Sequence, residues 1–271
     1  MHLTPDLLHD PDAAFHALLT EVAWDTMYHR GGAVPRLVAV QGAPTSLPIY
    51  RHPADSSPPL LPFTPTVDAI RVAVEKQIGH ELNHVLIQHY RGGGDYISEH
   101  SDKTLDIAHG SNIVNVSLGA QRVMTLRLKQ DIKPRPVQRI PLPHNSVFVL
   151  DSETNKLWLH GIKHDNRPLH TKSDAEKAFG GDRISLTFRL IATFLLPIPT
   201  AALEPRYLIY GQGAMSKNQD SAQLVPLAGE AVDEVQRVIR AFGEENTRGD
   251  SFDWDTWYGT GFDVVHLASP E

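Results

Sequence analysis

The stretch HVLIQHYRGGGDYISEHSD, residues 84–102, decides the fold expected of this 271-residue chain. It begins with an apolar, strand-like run, crosses a loop that contains consecutive glycines, and ends on His100, Ser101 and Asp102. Residues two apart on a strand point to the same side, so we expect the side chains of His100 and Asp102 to share a face.

A second histidine, His160, follows in Trp158-Leu159-His160, at the end of another strand-like segment. A histidine near an aspartate is often an ordinary surface pair. Two imidazoles with one carboxylate, however, form the set that holds ferrous iron and leaves positions open for a co-substrate and dioxygen. The three side chains therefore predict an iron site.

The strand that supports this interpretation is Arg183-Ile184-Ser185-Leu186-Thr187-Phe188-Arg189. Its two arginines are six residues apart and share a face with Ser185 between them. An arginine that points into a protein interior is costly unless it meets an anion. A guanidinium fork fits a carboxylate, so the strand predicts a site for 2-oxoglutarate.

The rest of the chain predicts a succession of short strands with helices before and after them. Helical spacing of apolar residues predicts helices over residues 5–29, 66–79 (capped by Thr66) and 230–242 (stopped by Gly243). Alternation and turn residues predict strands over 37–40, 49–51, 84–90, 113–118, 123–128, 146–150, 156–159 and 184–194. Short strands in succession after a helix indicate a jelly-roll or barrel with helices packed outside.

Length and composition place limits on the class of protein. A chain of this length suits one large domain or a domain with an extension, and its character changes near residue 197. We therefore expect a core over residues 1–196 and a C-terminal extension over residues 197–271, loop-like to 227 and then helical, packed on the core.

The net charge of −7 argues against a broad nucleic-acid surface. The chain has no cysteine, which excludes disulfides and thiolate sites. Neither a signal peptide nor a membrane-spanning run is recognisable, so an intracellular, cytoplasmic protein is expected.

Residues 83–194 resemble the AlkB-like Fe(II)/2-oxoglutarate dioxygenases. The resemblance rests on motifs in a fixed order, namely His-x-Asp, Gly110-Ser111, Val116-Ser117-Leu118-Gly119, Pro143-His144-Asn145-Ser146, Trp158-x-His160 and Arg-x-Ser-x-x-x-Arg. It implies an α+β fold with a mainly β core, a double-stranded β-helix (jelly-roll) with flanking helices. Residues 34–51 also resemble the family's N-terminal substrate-cover hairpins.

The resemblance assigns a role to each matching position. The iron ligands it implies are His100, Asp102 and His160. Arg183 would clamp the distal carboxylate of 2-oxoglutarate, with a hydrogen bond from Tyr90, and Arg189 would lie near the other carboxylate. The cofactors implied are Fe(II), 2-oxoglutarate and O2.

The chain departs from the family pattern at two positions, Gln88 and Thr104, and the second departure affects the prediction of the substrate. Gln88 stands where the family usually has asparagine; it keeps the amide but reaches one methylene further. Gln88 and Ser185 are candidate contacts of the co-substrate. Thr104 stands where nucleic-acid members commonly carry an acidic residue that reads the damaged base. Thr104, together with Tyr50 and Arg36 of the cover segment, is a candidate substrate contact.

Three functions remain open at this point, and a small-molecule oxygenase is the preferred one. The acidic charge, Thr104 and the extension favour a small-molecule oxygenase that acts on an amino acid or a secondary metabolite by hydroxylation, desaturation or ring closure. The family core and residues 34–51 favour an oxidative dealkylase of methylated DNA or RNA. A binding protein on an inactive oxygenase scaffold is the third alternative, and no oligomeric state follows from the sequence.

Overall fold

The computed structural model describes residues 1–29, 32–44, 47–53, 57–199 and 205–267. Residues 45 and 46 of the predicted cover segment, and residues 200–204 and 268–271 of the predicted extension, lie outside the described residues. The helices are α1 (Pro11–Glu21), α2 (Pro65–Ile78), α3 (Ser152–Leu157), α4 (Asp174–Lys177), α5 (Val232–Arg248) and α6 (Trp254–Tyr258).

The strands belong to two facing sheets, a third sheet and a short hairpin. They are β1 (His2–Thr4), β2 (Tyr28–His29), β3 (Gly32–Ala33), β4 (Leu37–Gly42), β5 (Leu47–Pro48), β6 (Leu60–Pro62), β7 (His84–Arg91), β8 (Ile97–His100), β9 (Ile113–Gly119), β10 (Arg122–Leu128), β11 (Val137–Leu142), β12 (Ser146–Leu150), β13 (Trp158–Ile162), β14 (Asp182–Arg189), β15 (Thr193–Ile198), β16 (Arg206–Gly211) and β17 (Gln223–Leu224).

The two facing sheets form the jelly-roll that the sequence predicted. Within the described residues, the larger sheet has the strand order β1-β12-β9-β14-β7-β4-β6, and the smaller one has the order β11-β10-β13-β8. Neighbouring strands are antiparallel, apart from the parallel pair of β4 and β6. Tyr90 and Phe148 of the larger sheet pack against Met124, Leu126 and Ile162 of the smaller one.

Alternation along β14 explains why the larger sheet can carry polar groups inside the barrel. Ile184, Leu186 and Phe188 point outward into a core that α1 and α2 cover with apolar side chains such as Leu18 and Ile70. The intervening residues of the strand point inward and line a cavity between the sheets; they are Arg183, Ser185, Thr187 and Arg189. The predicted common face of the arginines is therefore present.

Several predicted elements have different bounds at the N-terminal end. The helix predicted over residues 5–29 is wrong in extent. Pro11 begins it after the carboxylate of Asp10, which caps it, and it ends at Glu21. Beyond that end, Asp25 bridges to Val38 and residues 28–29 form β2. The strand predicted over 49–51 is wrong, since the Arg51 N–H donates to the Asp106 carboxylate rather than to a sheet partner. Thr64, not Thr66, is the N-cap residue of α2, with Pro65 as its first helical residue.

Further differences lie after residue 102, the last of the stretch that carries the candidate ligands His100 and Asp102. Residues 156 and 157 are helical, not extended, because Asp151 caps α3, and the strand begins only at Trp158. The single strand predicted over 184–194 is two strands, β14 and β15, because the Ile191 N–H donates to the side chain of Asn83. The loop predicted over 197–227 is wrong where β16 and β17 join β15 in the third sheet.

Helix α5 continues past Gly243, the predicted stop, to Arg248. A glycine inside a helix costs about 1 kcal/mol relative to alanine. Contacts beyond Gly243 offset that cost, since Glu245 is buried and hydrogen-bonded on the core side of the helix. Upstream of the glycine, Val238 and Phe242 pack in one apolar cluster with Leu105 and Tyr258.

Arg51, which forms a buried ion pair with Asp106 inside the core, links the extension to the rest of the fold. The guanidinium of Arg51 pairs with Asp106 at 2.6 Å, and both side chains are almost wholly buried. The same guanidinium donates to the carbonyl oxygens of Gly213, Phe262 and Val264. Charge and carbonyl dipoles together satisfy a group that would otherwise be costly to bury.

Candidate active site

The three predicted metal ligands come together at one end of the smaller sheet. His160 of β13 is the cross-strand partner of His100 of β8, and the centroids of their rings are 4.5 Å apart. Asp102 follows directly after β8. One potential ligand atom from each of the three residues lies within 4.8 Å of those of the other two. The donor set and its compactness fit a ferrous ion.

Hydrogen bonds fix which atoms face the site. Nδ1 of His100 lies 2.8 Å from the carbonyl oxygen of Ser98, which directs Nε2 toward Asp102, with Oδ1 at 3.9 Å. The other oxygen of Asp102 accepts from Arg189, whose Nη2 and Nε lie at 2.8 and 3.2 Å. Asp102 Oδ1 is therefore oriented for a metal while Oδ2 is held by the guanidinium.

Electrostatics keep the three groups in the forms that bind a metal. Burial, together with the neighbouring His100, lowers the pKa of His160 to about 3, and burial also lowers the pKa of His100. Burial alone would raise the pKa of Asp102, but the charge of Arg189 and its hydrogen bonds hold it well below its usual range. Neutral imidazoles and an ionised carboxylate are the forms that coordinate metals.

The prediction that His100 and Asp102 lie on one strand is wrong, because β8 ends at His100. After His100 the backbone N–H groups donate hydrogen bonds to side chains and not to a neighbouring strand. The N–H of Asp102 donates to Oδ1 of Asn155 at 3.0 Å, and that of Lys103 donates to Oη of Tyr50 at 3.1 Å. The two ligands converge through a loop held by side chains rather than through the pleat of a strand.

Arg183 supplies a buried cation on the inner face of β14. Its Nε donates to Oγ of Ser117 at 2.8 Å, and its Nη2 donates to Oδ1 of Asn115 at 3.2 Å. Nη1 is buried and finds no hydrogen-bond partner among the residues the structure describes. A buried guanidinium with an unmatched donor at the wall of a cavity fits the carboxylate of 2-oxoglutarate.

The remaining co-substrate candidates surround that cation. The guanidinium of Arg183 lies 5.3 Å from the centroid of the Tyr90 ring. The Tyr90 hydroxyl donates to Oε1 of Gln88 at 2.8 Å, and the Ser185 hydroxyl accepts from Asn115. All five residues predicted to contact the co-substrate line the same cavity as the candidate metal ligands; they are Arg183, Arg189, Tyr90, Gln88 and Ser185.

The cavity has a volume of about 470 Å³ and continues from the metal ligands toward the N-terminal segment. Arg36 and Tyr50 line it, as their assignment as substrate contacts requires, and so do Lys103 and Asn246. Thr104 is not among the described lining residues, because its hydroxyl and N–H both donate to Glu245 of α5.

Sequence reasoning missed four residues of this site. Asn115 shares the inner face of β9 with Ser117, so alternation along that strand could have revealed it. Asn155, Glu245 and Asn246 lie on helices and accept hydrogen bonds from the loop of residues 101–104, and no local pattern marks them.

Comparison with known proteins gives one family and several relatives. The family model described as the 2OG-Fe(II) oxygenase superfamily matches residues 1–189. A human protein named DNA oxidative demethylase ALKBH2 is 36% identical over 135 residues, which cover 48% of this chain and 48% of that protein. Its bovine namesake is 31% identical over 194 residues, or 67% of this chain and 65% of that protein. A bovine alpha-ketoglutarate-dependent dioxygenase alkB homolog 3 is 26% identical over 198 residues, or 68% and 63%.

The chain spans about half the length of the human relative. Across the part of the chain that the structure describes, no helix combines the length and apolar character needed to cross a membrane.

Proposed function

The chain belongs to the 2OG-Fe(II) oxygenase superfamily, and from that premise we propose that it is an Fe(II)/2-oxoglutarate-dependent oxygenase that removes alkyl groups from nucleic-acid bases. The AlkB-like resemblance found in the sequence is confirmed by the family match and the relatives. The single observation that carries the reaction class is the meeting of His100, Asp102 and His160 beside the buried Arg183.

When bound, ferrous iron and 2-oxoglutarate supply the oxidation of a substrate C–H bond with dioxygen, and 2-oxoglutarate is converted to succinate and carbon dioxide. In this proposal the protein contributes binding and orientation. Arg183 holds the distal carboxylate of the co-substrate through its unmatched Nη1. Arg189 holds Asp102 in place. Its positive charge lies beside the ligand set and would attract the carboxylate of 2-oxoglutarate that chelates the metal.

The choice of a nucleic-acid substrate rests on the relatives, since two proteins named DNA oxidative demethylases align with 48% and 67% of this chain. They favour this alternative over the small-molecule substrate that the sequence analysis preferred. The cavity supports it with two cationic side chains, Arg36 and Lys103, at its walls. Because the net charge is −7, contacts to phosphates would be confined to such local positions.

A small-molecule substrate remains the second candidate, and one observation favours it. Asn246 of the extension reaches the cavity wall, and the extension occupies residues beyond the family match, which ends at residue 189. A segment that adds to the wall of a cavity limits the size of the substrate it admits.

One experiment separates the two candidates. Formaldehyde release is measured from methylated single- and double-stranded oligonucleotides, in parallel with succinate formation in the presence of a panel of amino acids. We expect formaldehyde from an oligonucleotide, and none from the His160→Ala variant. Succinate formation that rises with an amino acid and not with any oligonucleotide would overturn the nucleic-acid assignment. Absence of 2-oxoglutarate turnover under every condition would favour a non-catalytic binding protein.

A further inference from the structure

The C-terminal end of α5 lies against the loop that carries the metal ligands. Asn246 presents Oδ1 to three donors of that loop: the Ser101 N–H at 3.1 Å, the Ser101 hydroxyl at 3.0 Å and Nζ of Lys103 at 2.6 Å. Ser101 is the residue between the ligands His100 and Asp102. A single side-chain oxygen of the extension therefore contacts the backbone between two metal ligands.

Glu245, the preceding residue of α5, holds the other end of the same loop. Its Oε1 accepts from the Thr104 N–H at 3.0 Å and from the Thr104 hydroxyl at 2.5 Å. Its Oε2 accepts from the Tyr258 hydroxyl of α6 at 2.7 Å, and its carbonyl oxygen accepts from Nζ of Lys129. A glutamate that is 4% exposed is costly unless both oxygens are satisfied, and here both are.

The four consecutive backbone N–H groups after His100 all donate to side chains. Those of Asp102 and Lys103 donate to residues of the jelly-roll, Asn155 and Tyr50. Those of Ser101 and Thr104 donate to the extension. Because each of these amides bonds to a side chain and not to a neighbouring strand, removal of an acceptor leaves its amide unpaired and frees that part of the loop.

We propose that Asn246 and Glu245 are positioning residues that set the spacing of the metal ligands His100 and Asp102. The extension is then part of the metal site, although none of its residues coordinates the ion. The inference rests on the proposed function only in that the ligand set binds a divalent metal. Groups that orient metal ligands typically change metal affinity by about 10- to 100-fold when they are removed.

Asn246 gives the sharper test, because a near-isosteric change removes its acceptor. Asn246→Leu deletes the acceptor at nearly constant size, whereas Asn246→Asp keeps an oxygen for all three donors. The matched control is Glu244→Gln, since Glu244 lies on the same helix and pairs with Arg248 at the surface. Asn246→Ser, whose side chain is too short to reach the loop, replaces the leucine variant if that protein does not fold.

Two readouts, neither of which uses a substrate, test the proposal on the full chain. The first is amide hydrogen exchange of the metal-free protein, in which we expect Asn246→Leu to accelerate exchange at Ser101 and Glu245→Ala to accelerate it at Thr104. The second is anaerobic titration with Co(II), in which we expect an affinity loss of about ten-fold and a changed visible spectrum. Glu244→Gln should behave as the wild type in both readouts. Asn246→Asp, which keeps the acceptor, should keep wild-type exchange at Ser101 and should lose less affinity than Asn246→Leu.

The outcomes distinguish this inference from the proposed function. Unchanged exchange at Ser101 and an unchanged cobalt spectrum in a folded Asn246→Leu or Asn246→Ser variant would overturn the positioning role, even in an enzyme that releases formaldehyde. Equal losses in Asn246→Leu and Asn246→Asp would also overturn it, since the acceptor would then be irrelevant. Absence of formaldehyde release would refute the dealkylase assignment and leave the positioning role standing.

Discussion

Arg189 Nη2 lies 2.8 Å from Oδ2 of Asp102, and each of the two side chains is 3% exposed. The pair explains how a carboxylate can be both buried and ionised before a metal arrives. It also gives Asp102 a fixed rotation, with one oxygen toward Arg189 and the other toward His100. Arg189 is thus a partner of the proposed metal ligand Asp102, in addition to a candidate contact of the co-substrate.

The first prediction concerns removal of that partner. Arg189→Met leaves the Asp102 carboxylate buried without its cation, which costs about 3–5 kcal/mol of unfolding free energy. The pKa of Asp102 should rise, so Co(II) binding should weaken as well. Denaturant unfolding and cobalt titration measure the two effects. The control is Arg71→Met, an arginine with two surface carboxylate partners, which should cost about 1 kcal/mol or less. Equal losses of stability in both variants would contradict the prediction.

The second prediction separates Arg183 from the metal. Arg183→Met should weaken 2-oxoglutarate binding by about 2–5 kcal/mol, because a charge-assisted, buried pair is lost. Metal affinity should stay close to the wild-type value, since Arg183 bonds to Ser117 and Asn115 and not to a metal ligand. Anaerobic titration of the Fe(II)-loaded protein with 2-oxoglutarate gives the first quantity, and Co(II) titration gives the second. Unchanged 2-oxoglutarate affinity would refute the assignment.

Periodicity made the inner wall of the barrel predictable. Alternation along β14 identified Arg183, Ser185 and Arg189 as one face, because a strand buried on one side by helices must place its other face in the barrel. The ordered motifs identified His100, Asp102 and His160 as a set. These features depend on local spacing or on a family pattern, and both can be recognised in the sequence alone.

The contacts to α5 were not predictable in the same way. Asn246 and Glu245 lie 145 and 141 positions from their loop partners Ser101 and Thr104, and nothing in the local sequence marks either one. Because helix propensity predicted that α5 ends at Gly243, neither residue was expected on the helix. Helix propensity does not take account of the buried contacts of a side chain such as Glu245. Tertiary contacts extend the helix beyond Gly243. The same contacts, from Glu245 and Asn246, hold the loop of residues 101–104.

The third prediction concerns the ion pair between Arg51 and Asp106, whose guanidinium also donates to carbonyl oxygens of the extension. Arg51→Met leaves a buried carboxylate uncompensated, so we expect a loss of about 3–5 kcal/mol in unfolding free energy. The double variant Arg51→Met/Asp106→Leu removes both charges and should recover a large part of that loss. Denaturant unfolding of the two variants is the measurement. A double variant that is less stable than Arg51→Met would mean that the hydrogen bonds of Asp106, and not its charge, dominate.

The last prediction concerns the pH dependence of stability that Lys129 produces. Burial lowers the pKa of Lys129 to about 7, whereas a lysine in the unfolded chain keeps a pKa near 10.5. Between these values the unfolded chain binds a proton that the folded chain lacks, so the unfolding free energy should rise with pH from about 7 toward 10. The stability that is present above the unfolded pKa is lost as the pH falls through the folded one. The largest slope for one whole proton is about 1.4 kcal/mol per pH unit.

Lys129→Met removes this titration and should flatten the rise. It should not abolish it, because burial also lowers the pKa of Lys103, to about 8. The exposed Lys76→Met is the control, since it removes a lysine without removing a buried amine. Urea unfolding of the metal-free proteins at several pH values between 7 and 10 measures the three slopes. If wild type and Lys129→Met show the same slope, the ammonium of Lys129 remains charged in the fold, and its bond to the Glu245 carbonyl then compensates for its burial.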